Sequence, residues 1–171
     1  PPRPFAPIFE RLRAHGGLGI TVHAGEASGP ASVRDAIEVL GARRIGHGVR
    51  VVHDPAVVDL VRARGVTLET CPTSNVLTGA VPSLADHPLR FLLQQGVSAT
   101  INTDDPGWFD VTLTDEYETA LDRLNLTFAE LTTAALNAAH AAFLPAEDRA
   151  ALARRLATAY AGLSPRWHTE P

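Results

Sequence analysis

This chain of 171 residues has a single cysteine, Cys71, and neither methionine nor lysine. One thiol cannot close an internal disulfide, so the fold must be held by a packed core rather than by cross-links. No apolar run approaches the length needed to cross a bilayer, and no basic start is followed by the short apolar stretch of a secretory signal. A cytoplasmic home is the default expectation. Positive charge is scarce: 15 basic residues, all arginine and scattered, face 19 acidic ones, for a formal net charge of −4. Such a distribution offers no patch for a phosphate backbone or an anionic membrane, so neither nucleic acid nor a membrane is an expected partner. The exclusive use of arginine reads as a compositional bias of the source genome. The opening Pro1-Pro2-Arg3-Pro4, without an initiator methionine, points to a piece of something longer.

Apolar residues make up 45% of the chain and charged residues 20%, a balance that supports an ordinary globular core. Four short apolar segments recur at 18–22, 43–45, 66–70 and 97–101, each with a glycine at or shortly before its start that could end a preceding helix. Between them lie amphipathic stretches at 32–40, 55–64 and 87–95; in the last, Leu89, Leu92 and Leu93 share one face. Strands alternating with helices are the pattern of parallel βαβ units, whose right-handed crossovers put the helices outside the sheet. The class is α/β. After Asp105 the pattern turns to helices alone, at 113–124, 128–143 and 145–160. No repeat, low-complexity tract or linker divides the chain, so 1–171 is expected to be one unit, with the βα units in 1–110 and a helical tail in 111–171.

In parallel α/β folds the loops after the strands converge on one face, where catalytic groups gather. Four strand ends carry His23-Ala-Gly25-Glu26, Arg44-Ile-Gly-His47-Gly48, Glu69-Thr-Cys71-Pro72 and Asn102-Thr-Asp104-Asp105-Pro106. Two imidazoles, a glutamate and an aspartate pair would then face one cavity. Imidazole and carboxylate are ligands for a borderline divalent metal, and a spare carboxylate nearby can move protons. Taken singly, each has an ordinary explanation: His23 as a structural histidine, Gly46-His47-Gly48 as a flexible turn, Asp104-Asp105-Pro106-Gly107 as a turn or helix cap. Their recurrence at successive strand ends is what those explanations leave out. Spacing alone would make His47 a third metal ligand beside His23 and Asp104. Cys71, with no basic neighbour in sequence, reads as a buried structural thiol. His15, His53, His87, His140 and His168 are assigned to helices or to the terminus and given no chemistry. Trp108 and Phe109 could wall a pocket or pack in the core.

In this order the four motifs, the third continuing as Pro72-Thr-Ser74-Asn75 with Leu77-Thr-Gly-Ala80, resemble those of adenosine deaminases from about Ile20 to about Leu156. The resemblance implies a zinc-dependent hydrolase of the (β/α)8 barrel class that converts adenosine and 2'-deoxyadenosine to inosine products and ammonia in purine salvage. It makes His23 and Asp104 zinc ligands and Glu26 the proton shuttle at purine N1. His47 would orient the zinc-activated hydroxide, and Asp105 would bond purine N7. Apart from the resemblance, the small residues Ala24 and Gly25 form a tight turn that lets backbone and substrate approach closely. The family also has a His-x-His pair on its first strand that supplies two more ligands, and no such pair occurs here. Such barrels typically need about 250 residues. The chain therefore resembles strands five to eight plus the tail. A half barrel should expose two sheet edges and an apolar interior, so the expected partner is the complementary half or a second copy. Alternatives are a deaminase of adenine or aminodeoxyfutalosine, and a catalytically dead, self-associating remnant.

Overall fold

The computed structural model describes residues 2–167. After a 3₁₀ turn at Arg3–Phe5 come α1 (Ala6–His15), β1 (Thr21–Ala24), α2 (Pro30–Glu38), β2 (Arg44–His47), α3 (Pro55–Ala63) and β3 (Thr67–Thr70). There follow α4 (Pro72–Leu77), α5 (Leu89–Gln94), β4 (Ala99–Ile101) and α6 (Pro106–Phe109). A helical part, α7 (Leu113–Asp122), α8 (Phe128–Ala141) and α9 (Ala146–Trp167), completes the described residues. The four strands pair in sequence order, all parallel, as the alternating pattern requires. Proline at the first turn starts α2, α3, α4 and α6, where its missing N–H costs nothing. Reciprocal capping boxes, Thr112 with Asp115 and Thr127 with Glu130, start α7 and α8.

One face of the sheet holds the fold together. Val22, Ile45, Leu68, Ala99 and Ile101 alternate toward the helices, where Val33, Val57, Val61, Leu89, Leu92 and Leu131 complete one core. The opposite face differs from expectation, for it is polar where an apolar interior was anticipated. Thr21 Oγ1 donates to Glu69 Oε2 at 2.9 Å, Arg44 Nε pairs with Glu69 Oε1 at 3.2 Å, and Thr67 shares a hydrogen bond with Ser98 at 2.9 Å. The sheet edges are unequal as well. α8 packs against β4, and Asn137 Nδ2 donates to the Ala99 carbonyl at 3.0 Å, so that edge is partly shielded; β1 has no strand beyond it among the described residues.

β1 begins at Thr21 rather than at 18, because Gly16 and Gly17 take positive φ and Leu18 turns outward, 59% exposed. α1, α4 and α6 are too short or too irregular in pattern to stand out in the sequence. The third amphipathic stretch becomes helical only at Leu89, which leaves His87 outside the helix and buried. α9 runs on to Trp167, beyond the expected end at 160. His15 and His140 sit in exposed helical positions, His53 ends a 3₁₀ turn, and His168 lies outside the described residues.

Candidate active site

The mouth formed by the four strand ends brings the separated motifs together. β1 carries His23 up to a turn at Gly25, whose φ of +68° admits no Cβ without a 2.8 Å approach to Val33 Cγ2. Glu26 follows on the far side of that turn. On β2, Gly46 lies directly opposite His23 in the parallel register, and a Cβ there would stand 3.0 Å from the His23 ring. The bare backbone of Gly46 thus gives the imidazole its place. The two rings, His23 and His47, rest with centroids 5.2 Å apart, tilted by 54°.

Two site residues hold backbone conformations that side chains avoid. His47 has φ +64° and Asp104 has φ +60°. Each costs roughly 1–2 kcal/mol relative to right-handed backbone. By strand parity His47 would follow Ile45 toward the helices; the left-handed turn helps re-aim its ring to the mouth. There its Nε2 lies 3.5 Å from Glu26 Oε2 and 3.9 Å from Asp104 Oδ2. Asp104 in turn accepts a 2.7 Å hydrogen bond from Ser74 Oγ at its Oδ2. One ligand atom from each of His23, His47 and Asp104 lies within 4.8 Å of the others, so the three could hold a metal ion. Neutral imidazole plus carboxylate is the donor chemistry of zinc and its neighbours, and the set fits such an ion.

Burial sets the electrostatics here. Desolvation lowers the pKa of His47, outweighing the opposite pull of Glu26 and Asp104, so the ring tends to stay neutral. Cys71 is buried, and burial with the surrounding carboxylates pushes its thiol far up, in keeping with a structural role. Glu116 on α7 is fully buried, accepts the Thr73 N–H at 3.1 and 3.3 Å, and is raised above the usual carboxylate range by burial. It thereby satisfies an N-terminal amide of α4, the helix that carries Ser74 and Asn75.

Not every expected group reaches into the mouth with a partner. Gly25 spends its N–H on Ser32 Oγ at 2.9 Å, so what it offers a substrate is its small shape. A hollow of about 170 Å³ lined by His23, Gly25, Glu26 and Ser32 adjoins that turn. Asp105 follows Asp104 as the exposed residue before α6, with no capping bond from its side chain. Trp108 is 85% exposed and Phe109 half-buried, so neither packs in the core.

What sequence reasoning missed is the support behind the site. Asn75 Nδ2 lies 2.9 Å from His47 Nδ1, and His87, a helix residue without chemistry by its sequence pattern, reaches Asn75 Oδ1 through Nε2 at 3.1 Å. The run Ser74-Asn75 after Cys71-Pro72 was visible, but nothing in the sequence tied it to His47 or His87.

The chain matches the family model described as adenosine deaminase over residues 1–159. It is 46% identical over 157 residues to an adenosine deaminase of Erwinia tasmaniensis, covering 92% of this chain and 47% of that protein. Among solved structures it resembles an adenine deaminase of Arthrobacter aurescens, with TM-score 0.86 and 35% identity over 92% of this chain and 48% of that one. It also resembles an amidohydrolase of Burkholderia ambifaria with bound Zn, with TM-score 0.89 and 26% identity over 99% and 48% of the two chains. The chain spans about half the length of the relatives it matches. The motifs at the four strand ends, the half-barrel architecture and the extent of the match agree: this chain belongs to the adenosine deaminase family.

Proposed function

We propose that the chain carries the catalytic strand ends of a zinc-dependent hydrolase that deaminates adenosine and 2'-deoxyadenosine. The observation that carries this reading is the convergence of His23, His47 and Asp104 within 4.8 Å, with Glu26 3.5 Å from His47. His23 and Asp104 would hold the zinc. When bound, the metal supplies Lewis acidity that makes water nucleophilic near neutral pH.

The chain's own residues do the rest. Glu26 gives a proton to purine N1 as water adds at C6 and regains one from that water, so negative charge does not build on the ring. His47 aims the attacking oxygen, and Asp105 fixes the base through N7. The proton of the new C6 hydroxyl passes to the amino group, ammonia leaves C6 and the carbonyl of inosine remains. Two zinc ligands are fewer than the three usual at a catalytic site, so the chain alone should bind zinc weakly and turn over no substrate. A His-x-His strand from a complementary half would supply the others. Phe5, Ile8 and Leu12, exposed at and along α1, support a surface that such a half, or a second copy, would cover. A clean monomer in sedimentation at micromolar concentration would count against that association.

The test joins this chain to the upstream half of the Erwinia tasmaniensis relative and follows loss of absorbance near the adenine maximum. Zinc-dependent turnover of adenosine is expected, abolished by Glu26→Gln; a fusion that unfolds cooperatively and binds zinc yet turns over no 6-aminopurine would refute the reading. Turnover by the chain alone would refute its inactivity. Adenine is the second substrate reading, favoured by the 35% identity to the Arthrobacter aurescens adenine deaminase, and comparison of adenine with adenosine separates the two.

A further inference from the structure

We propose that Asn75, clamped by His87, is a positioning residue that fixes His47 as its Nε2–H tautomer, turning a hydrogen-bond donor rather than a lone pair toward Glu26 and Asp104. The assignment follows from backbone donors alone. The Cys71 N–H can only donate, and it meets Asn75 Oδ1 at 3.2 Å, so that atom of the amide is the oxygen. His87 Nε2 approaches the same oxygen at 3.1 Å and must therefore carry a hydrogen. The Leu89 N–H donates to His87 Nδ1 at 3.3 Å, so that nitrogen is bare and the ring is neutral. Burial pushes the His87 pKa down to about 4, in agreement.

With its oxygen committed twice, Asn75 has only its NH₂ left for His47, 2.9 Å away at Nδ1. An amide nitrogen accepts nothing, so His47 Nδ1 must be the acceptor, and the single proton of the neutral ring sits on Nε2. That nitrogen lies 3.5 Å from Glu26 Oε2 and 3.9 Å from Asp104 Oδ2. A metal ligand needs a lone pair at that nitrogen. The tautomer thus withdraws His47 from the ligand set and leaves His23 and Asp104, while giving the attacking oxygen of the proposed reaction a donor. Asn75, His47 and His87 are all buried, so water has little room to substitute for any link.

The tautomer stands on geometry; its catalytic meaning rests on the deaminase reading. The metal-free 171-residue chain, labelled with ¹⁵N at histidine, reports protonated and bare ring nitrogens separately by two-bond ¹⁵N–¹H correlation. The wild type should show Nδ1 of His47 bare and Nε2 protonated; a proton on Nδ1 overturns the proposal. Asn75→Asp puts a carboxylate oxygen where the amide nitrogen stood and should draw the His47 proton to Nδ1. An unchanged tautomer would show that Asn75 does not set it. Should that variant fail to fold, Asn75→Ser, whose hydroxyl both donates and accepts, should give a mixture of tautomers, and a pure Nε2–H form overturns the role. In the enzyme completed by the upstream half, Asn75→Asp should lower kcat roughly tenfold or more with KM little changed. If the completed wild type deaminates nothing, the deaminase reading falls while the tautomer result stands; if kcat survives a switched tautomer, the catalytic role falls alone.

Discussion

His87 should make the fold acid-sensitive in a window that can be stated in advance. Its side chain is 7% exposed and its pKa falls from an ordinary 6.5 to about 4, the cause being burial. In the unfolded chain the ring takes a proton near 6.5, whereas the folded chain resists until about 4. Its contribution is therefore fully present above pH 6.5 and is lost as the pH falls toward 4. The difference amounts to about 3 kcal/mol, at about 1.4 kcal/mol per pH unit. His87→Gln places an amide N–H near the position of Nε2–H and does not titrate. It leaves the Leu89 N–H without its acceptor, so the variant should be less stable at pH 7 by about 1 kcal/mol. Below roughly pH 6 the order should reverse as the wild type gives up its advantage. Urea unfolding followed by circular dichroism at pH 7, 6, 5 and 4.5 measures both slopes. Parallel pH profiles for the two proteins would refute the burial argument, because His47 and Glu116 are common to both.

Three further substitutions probe the site's supports. Ser74→Ala removes the 2.7 Å donor to Asp104 and should weaken zinc binding on the order of tenfold, read by competition with a chromogenic chelator. Gly46→Ala places a Cβ against the exposed His23 ring; zinc affinity should fall while the urea midpoint barely moves, and a large loss of stability would show that the clash lies elsewhere. Glu116→Gln removes a buried acid whose pKa is raised, so the wild type should lose stability relative to the variant as pH rises from 4 to 7; equal slopes in thermal unfolding would contradict this.

The convergence of the strand-end motifs was legible because each motif is contiguous: His23 with Glu26, Gly46 with His47 and Gly48, Asp104 with Asp105. The parallel order of the sheet was legible too, since βαβ spacing allows few alternatives. What escaped is pairing across the chain. Asn75 meets His47 across 28 positions, Ser74 meets Asp104 across 30, and Thr73 meets Glu116 across 43. Hydrogen bonds of that kind leave no periodicity. Glu116 in the first turn of α7 looks like an ordinary solvated acid, and only the packing of α4 against α7 buries it. The polarity of the open sheet face lies in Thr21, Arg44, Thr67, Glu69 and Ser98, residues whose shared face becomes evident only once the strand register is known.

That polar face has a consequence for how barrel halves can be exchanged. Grease seals against almost anything, whereas burying the Thr21–Glu69–Arg44 triad costs free energy unless an incoming surface offers matching donors and acceptors. Gene fusions that swap upstream halves at random should thus be filtered by polarity before shape, and the rare productive chimeras should be those whose lumen completes this triad.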